Sequence, residues 1–160
     1  MQVEIVHAGL DRKSEIAGLM QDYLAELSAY TSVHVSAARP FDLGAYFELY
    51  WVEPERTPLL IMVNERSAGF CLVREVRPGL RSIAEFYIEP AYRRQGAGRA
   101  AARLALLKFP GEWQVAQLQR NLPAIAFWRD VVAELTGGEY REEHSDAYPA
   151  GPLQRFNLPG

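Results

Sequence analysis

The stretch Glu85-Phe86-Tyr87-Ile88-Glu89-Pro90-Ala91-Tyr92-Arg93-Arg94-Gln95-Gly96-Ala97-Gly98-Arg99 carries the densest chemistry in the chain. It runs from an apolar segment with strand character, through two arginines, into glycines that open a helical pattern. The first turn of a helix has amide groups with no acceptor and the positive end of the macrodipole. Glycines there let a ligand approach the backbone where a Cβ would collide, so an anion such as a pyrophosphate fits. Arg93, Arg94 and Arg99 add charge around that turn. In a chain of formal charge -3, this local excess points to a phosphorylated ligand.

Two other phosphate motifs compete for the same residues. Gly96-x-Gly98-x-x-Ala101 satisfies the dinucleotide fingerprint formally, but that motif follows directly on a strand and needs an acid about 20 residues further on. Here seven residues separate Ile88 from Gly96, and Gln117, Leu118 and Gln119 stand where the acid belongs. A P-loop is excluded because no Gly-Lys-Ser or Gly-Lys-Thr occurs. Covalent catalysis also lacks its parts: there is no Gly-x-Ser-x-Gly, and Cys71, the only cysteine, lies in an apolar run. His7, His34 and His144 have no metal-ligand partners at useful spacing, so no metal site is expected.

The elements that must position this stretch follow from periodicity. Val3 to His7 reads as a strand. A helix follows, capped by Asp11 or Ser14, with Ile16, Leu19, Met20, Tyr23, Leu24 and Leu27 on one face. Thr31 to Pro40 is a loop, and Phe41 to Trp51 reads as a short aromatic helix. Leu59 to Val63 and Ala68 to Arg74 form a hairpin about a turn at Asn64 to Ser67. Ser82 to Ile88 is a further strand, and a helix runs from Gly96 to about Lys108. Trp113 to Gln119 is a strand, and a helix opening near Pro123 stops at Gly137-Gly138. Weak strands near Tyr140 to Glu143 and Gln154 to Leu158 complete the order β α α β β β α β α β β.

Length and composition bound the rest. At 160 residues, with 49% apolar and 23% charged, the chain can bury a core without disulfide or metal staples, and residues 1–160 read as one domain. The lone cysteine fits a reducing cytoplasm. No apolar run approaches the roughly 18 residues of a membrane helix, and the mild overall acidity argues against nucleic acid.

Arg93-Arg94-Gln95-Gly96-Ala97-Gly98 matches the Arg/Gln-x-x-Gly-x-Gly/Ala signature of the GNAT superfamily of acyl-CoA-dependent N-acyltransferases. Tyr87 to Tyr92 resembles the strand and loop that precede it. Asn121-Leu122-Pro123-Ala124-Ile125-Ala126-Phe127-Trp128 is similar to the second landmark, Asn-x-x-Ala-x-x-Phe-Tyr, and the element order resembles the family's over nearly the whole chain. The resemblance implies a mixed α/β fold. Its twisted, mostly antiparallel sheet of six to seven strands is splayed between the fourth and fifth, with about four flanking helices. It implies acetyl-CoA as co-substrate in the gap. The pantetheine arm would run along Phe86, Tyr87 and Ile88, and the pyrophosphate would rest on the turn formed by Arg93, Arg94, Gln95, Gly96, Ala97, Gly98 and Arg99. Asn121 would lie near the pantetheine or thioester, a place compatible with capping the Pro123 helix.

The implied reaction is direct attack of a primary amine, on a small molecule or peptide, upon the thioester. An alkylamine of pKa about 10.4 is ~3.4 units too basic at pH 7, so presenting it unprotonated costs ~4.6 kcal/mol. Strand alternation puts Glu85 and Tyr87 on one face and Phe86 and Ile88 on the other, which makes Glu85 the candidate general base or, on the plainer reading, a structural acid. Trp128 stands where many relatives carry a Tyr that protonates the leaving thiolate, and an indole N–H is no proton source near pH 7. A binding domain without turnover is the rival this departure keeps open. Tyr46, Phe47, Tyr50 and Trp51 either line the acceptor pocket or pack in the core. Glu139, Glu142, Glu143 and Asp146 either favour a cationic acceptor or form a solvated edge. Homodimerisation is left open.

Overall fold

A computed structural model describes residues 1–31, 41–147 and 149–160. Residues 32–40, which hold His34 and most of the loop expected from the sequence, and Tyr148 lie outside the described residues.

The order is β1 (Val3–His7), α1 (Lys13–Leu27), β2 (Arg56–Val63), β3 (Arg66–Arg77), β4 (Leu80–Ile88), α2 (Ala97–Leu107), β5 (Gly111–Ala116), α3 (Leu122–Thr136), β6 (Arg141–Ser145) and β7 (Gly151–Leu158). The seven strands make one sheet in the order β1-β2-β3-β4-β5-β7-β6. Every pairing is antiparallel except β4 with β5, which run parallel. The mixed, mostly antiparallel sheet is as expected.

Alternation along the strands builds two cores. On one face Leu59, Cys71, Ile83, Trp113 and Phe156 pack against α2 and α3, whose inward residues include Ala101, Leu106, Trp128 and Val132. On the other, Leu60, Phe70, Leu72 and Tyr87 pack against Ile16, Leu19 and Met20 of α1. Cys71 is fully buried, which pushes its thiol far above the ordinary range and leaves it inert.

The structure corrects three sequence expectations. Phe41 to Trp51 forms no α-helix, only a 3-10 turn at Glu48–Trp51, so three α-helices flank the sheet among the described residues. The Asp42 carboxylate accepts the Gly44 N–H at 2.9 Å, and Gly44 adopts φ +83°. This side-chain turn competes with helix start. Neither Asp11 nor Ser14 caps α1: a 3-10 turn, Leu10–Arg12, feeds the chain straight into it, and the Arg12 guanidinium pairs with Glu15 at 2.7 Å. Finally, β5 occupies Gly111–Ala116 rather than Trp113–Gln119, because Gly111 already pairs with Leu158.

Candidate active site

Tyr92 ends a short 3-10 turn, and the chain then turns twice through the left-handed region, at Arg94 (φ +60°) and Gly96 (φ +85°). Alternating left-handed residues tilt successive amides toward one point, a concavity suited to an anion. Gly96 caps α2, and the first helical hydrogen bond runs from the Ala100 N–H to the Gly96 carbonyl at 3.0 Å. The amides of Ala97, Gly98 and Arg99 therefore precede the ladder. A Cβ built on Gly98 would lie 3.7 Å from Ile88 and 3.8 Å from Phe127, so a larger side chain there would fill the space beside the turn.

The gap this turn faces comes from the sheet. Strands β4 and β5 share three register pairs, Leu80 with Glu112, Arg81 with Trp113 and Ser82 with Gln114, and then part. A bulge in β4 accompanies the parting: Leu72 faces Glu85 whereas Val73 faces Ile83, leaving Ala84 extra. Two clefts occupy the splay. The larger, about 390 Å³, is lined by Ile88, Arg94, Gly96, Gly98, Pro123 and Phe127 among others. The smaller, about 110 Å³, is lined by Ile83, Ala84, Glu85, Val115, Gln117 and Leu118 among others. Tyr23, Leu27, Phe86, Asn121, Ala124 and Trp128 line both, so the clefts adjoin at the thickness of single side chains.

Glu85 lies in the smaller cleft on the α1 face, and the Tyr23 hydroxyl donates to its carboxylate. Burial pushes this carboxyl up to about 7, against the downward pull of that hydrogen bond. A buried carboxyl at this value takes and gives protons near neutrality. Across the wall, Trp128 packs edge-on against Phe86 at 5.2 Å and against Phe127 at 5.1 Å, and it is 5% exposed, so its indole serves as core.

The structure brings most sequence-picked residues together. Phe86, Tyr87, Ile88, Arg93, Arg94, Gly96, Gly98, Arg99 and Asn121 line the larger cleft. Gln95 and Ala97 do not: the Gln95 amide donates to the Ala91 carbonyl at 3.1 Å, and Ala97 is buried beside Val63 and Ala68. The three arginines differ. Arg93 grips Glu26 through two hydrogen bonds of 2.6 and 2.7 Å and donates to the Ile88 carbonyl at 2.7 Å, so it braces the turn against α1. Arg99 pairs with Glu134 at 2.7 Å. Arg94 has no acidic partner among the described residues, which leaves its charge for a ligand. Asn121 caps α3, accepting the Ala124 N–H at 3.2 Å.

Of the aromatic quartet, Phe47 and Tyr50 are 4% and 5% exposed, and none lines either cleft. They pack as core. Burial lifts the Tyr50 phenol to about 12, against the pull of Arg56 beside it. Three of the four acids near the last strands are paired at the edge: Glu142 with Arg129 at 2.8 Å, Glu143 with Arg141 at 3.3 Å, and Asp146 against His144 at 3.4 Å. No group of three His, Cys, Asp or Glu among the described residues is placed to hold a metal, and no described helix is long and apolar enough to cross a membrane. Sequence reasoning missed Tyr23, Glu26 and Tyr30, which line the larger cleft from α1 and the turn after it. Their spacing of three and four residues was the available signal.

The acetyltransferase (GNAT) family model matches residues 19–131, more than half of the chain. The chain belongs to the GNAT acetyltransferase family. Solved GNAT structures share its fold. An acetyltransferase from Thermus thermophilus superposes with a TM-score of 0.72 at 14% identity, covering 99% of this chain and 98% of that one. Aminoglycoside acetyltransferase AAC(6')-Ib in complex with coenzyme A gives 0.66 at 16%, covering 98% and 95%. The PaiA N-acetyltransferase from Thermoplasma acidophilum, also with coenzyme A, gives 0.63 at 10%, covering 99% and 100%. A comparison with curated proteins returns no match. In this GNAT chain the family's Arg-x-x-Gly-x-Gly signature is the doubly left-handed turn described above.

Proposed function

We propose that this GNAT chain transfers the acetyl group of acetyl-CoA directly to the nitrogen of a primary amine on a small molecule. The observation that carries the reading is the meeting of two clefts at the β4–β5 splay. One is walled by the anion-binding turn; the other holds a buried carboxyl that titrates near neutrality. The residues fit the coenzyme: Arg94 and the amides of Ala97, Gly98 and Arg99 would hold its diphosphate, and the backbone edge of Phe86 to Ile88, which β5 leaves unpaired, would align its arm. Structural neighbours crystallised with coenzyme A support the choice of coenzyme.

In this reading the Glu85 carboxylate takes a proton from the acceptor ammonium, directly or through a water. The freed nitrogen attacks the thioester carbonyl, the C–N bond forms and the C–S bond breaks, the nitrogen gives its second proton to solvent, and the leaving thiolate takes a proton from solvent. Tyr23 keeps the Glu85 carboxylate oriented toward the splay. The test is release of coenzyme A thiol over a panel of amines. Turnover, with kcat/KM rising as pH increases through about 7, is the expected result. Glu85→Gln should cut kcat by about 10²- to 10⁴-fold with little change in acetyl-CoA affinity. Tight coenzyme binding with no turnover on any amine would instead favour a binding domain.

A further inference from the structure

The register of the sheet places six side chains in one row across six strands. Arg56 on β2 faces Arg74 on β3, Arg74 faces Ser82 on β4, Ser82 faces Gln114 on β5, Gln114 faces Arg155 on β7, and Arg155 faces Arg141 on β6. Directly paired residues project from the same face of a sheet. Their strand neighbours Val73, Ile83, Trp113 and Phe156 belong to the core on the opposite face, so the row lies on the face that carries Glu85. Four of the six are arginines.

The outer two are compensated. Arg56 pairs with Glu53 at 3.1 Å, and Arg141 pairs with Glu143 at 3.3 Å. The inner two are not. Arg74 and Arg155 have no carboxylate partner among the described residues, and the half-buried Arg155 spends one guanidinium nitrogen on the Gln114 side-chain carbonyl at 3.2 Å. Its Nε is shut away from solvent with no acceptor among the described residues. A buried donor left unpaired costs about 1–3 kcal/mol, which favours a turn of the guanidinium toward an anion bound beside it.

Three strand spacings, about 14 Å, separate the backbones of Arg74 and Arg155, a span that two guanidinium arms extended toward each other can bridge above Ser82 and Gln114, and Arg155 already reaches Gln114. That floor is where β4 and β5 last touch before the splay. Glu85 lies three residues beyond Ser82, one of which the bulge absorbs, so its carboxyl stands about 7 Å up the strand from the row. Tyr50 lies within electrostatic reach of Arg56, Arg74 and Glu85 together.

We infer that the acceptor is a small primary amine carrying an anionic group, a carboxylate or a phosphate, which seats on Ser82 and Gln114 between Arg74 and Arg155 while its nitrogen reaches Glu85. The inference rests on the acetyl-transfer reading and narrows its substrate. It sets this chain apart from its aminoglycoside-acetylating neighbour, since a polycation would lay ammonium groups over two uncompensated arginines. An amine and an anion about 7 Å apart correspond to an ω-amino acid of moderate length.

The experiment compares 3-aminopropanoate through 6-aminohexanoate with the alkylamine of matching length, and O-phosphoethanolamine with ethanolamine, each as acceptor with acetyl-CoA. The expected result is a preference of at least about 10-fold in kcat/KM for the anionic member of a pair, falling with added salt; which pair shows it tells carboxylate from phosphate. Arg74→Gln and Arg155→Gln should each raise KM for the anionic acceptor, relative to its neutral partner, by about 10- to 100-fold, as expected for a lost hydrogen bond to a charged group. Arg74→Lys should recover most of that loss. Equal or better use of alkylamines or of an aminoglycoside, with no selective effect of either Gln variant, overturns the inference while leaving acetyl transfer standing. Calorimetry of 5-aminopentanoate and of O-phosphoethanolamine, each titrated into protein saturated with coenzyme A, reads the same site without turnover. Absence of binding by both overturns the inference there too, and only absence of coenzyme binding as well strikes the acetyl-transfer reading.

Discussion

Glu85 shows how one environment sets both a chemical and a thermodynamic property. The carboxyl would titrate at 4.5 in the unfolded chain and does so at about 7 in the fold, because burial penalises the charged form. Between those values the native state holds a proton that the unfolded state has released, so stability falls as pH rises from about 4.5 to about 7. The loss by pH 8 reaches about 3 kcal/mol at 1.36 kcal/mol per unit. Glu85→Gln removes the ionisation while leaving an oxygen for the Tyr23 hydroxyl to bond. Thermal melts should place the variant about 6 °C or more above the parent at pH 8, with the gap shrinking toward pH 5. Equal melting at both pH values would mean the carboxyl is well solvated and unsuited to the proposed proton transfer. The facing of Glu85 was legible in the sequence, since a period of two carries across the strand whatever packs on it. Tyr23 was not, because a helical stripe of Ile16, Met20, Tyr23 and Leu27 reads as core. Only the placement of α1 over β4 turns that one hydroxyl toward a carboxylate.

At the level of elements, the strand–turn–helix unit from β4 to α2 was readable because its determinants are local. Glycines mark the turn, and alanines at helical spacing mark α2. The Phe41–Trp51 helix was misread because its aromatic spacing is helical while Asp42 and Gly44 close a turn at its start. That local competition outweighed periodicity. The role of Gly98 is testable at this scale. Replacing a helical glycine relieves backbone entropy, and a Cβ there meets Ile88 and Phe127 only in ordinary van der Waals contact. Gly98→Ala should therefore be neutral to slightly stabilising. Gly98→Leu should keep its cooperative melt yet bind coenzyme A at least about 10-fold more weakly by calorimetry, as the side chain fills the cleft beside the turn. Unchanged affinity in the Leu variant would remove this turn from the coenzyme site.

The whole molecule is two half-sheets, β1 to β4 and β5-β7-β6, held edge to edge by three register pairs between β4 and β5 and by α2 and α3 across one face. Sequence periodicity carries no record of that splay, which depends on where two strands far apart in the chain stop pairing; it entered the reading only through resemblance to a family. The residues that bracket the opening sit on both halves: Phe86 and Ile88 on β4, and Val115, Gln117 and Leu118 at the end of β5. A ligand lodged in the gap couples two strands that part after three register pairs, so its stabilisation should be unevenly distributed. At a coenzyme concentration 100 times its Kd, the global gain is about 2.7 kcal/mol, which slows exchange everywhere that exchange needs full unfolding. Amides that exchange by local parting of β4 from β5 should gain protection beyond what the free protein's local opening allows. Hydrogen exchange followed by mass spectrometry should thus show the largest slowing in peptides spanning Phe86 to Ile88, Arg94 to Arg99 and Val115 to Leu118. The effect on β1 should be small until the global limit is reached, and Gly98→Leu should show none of this pattern. Slowing confined to β6 and β7, or spread evenly over the sheet, would place the coenzyme somewhere other than the splay.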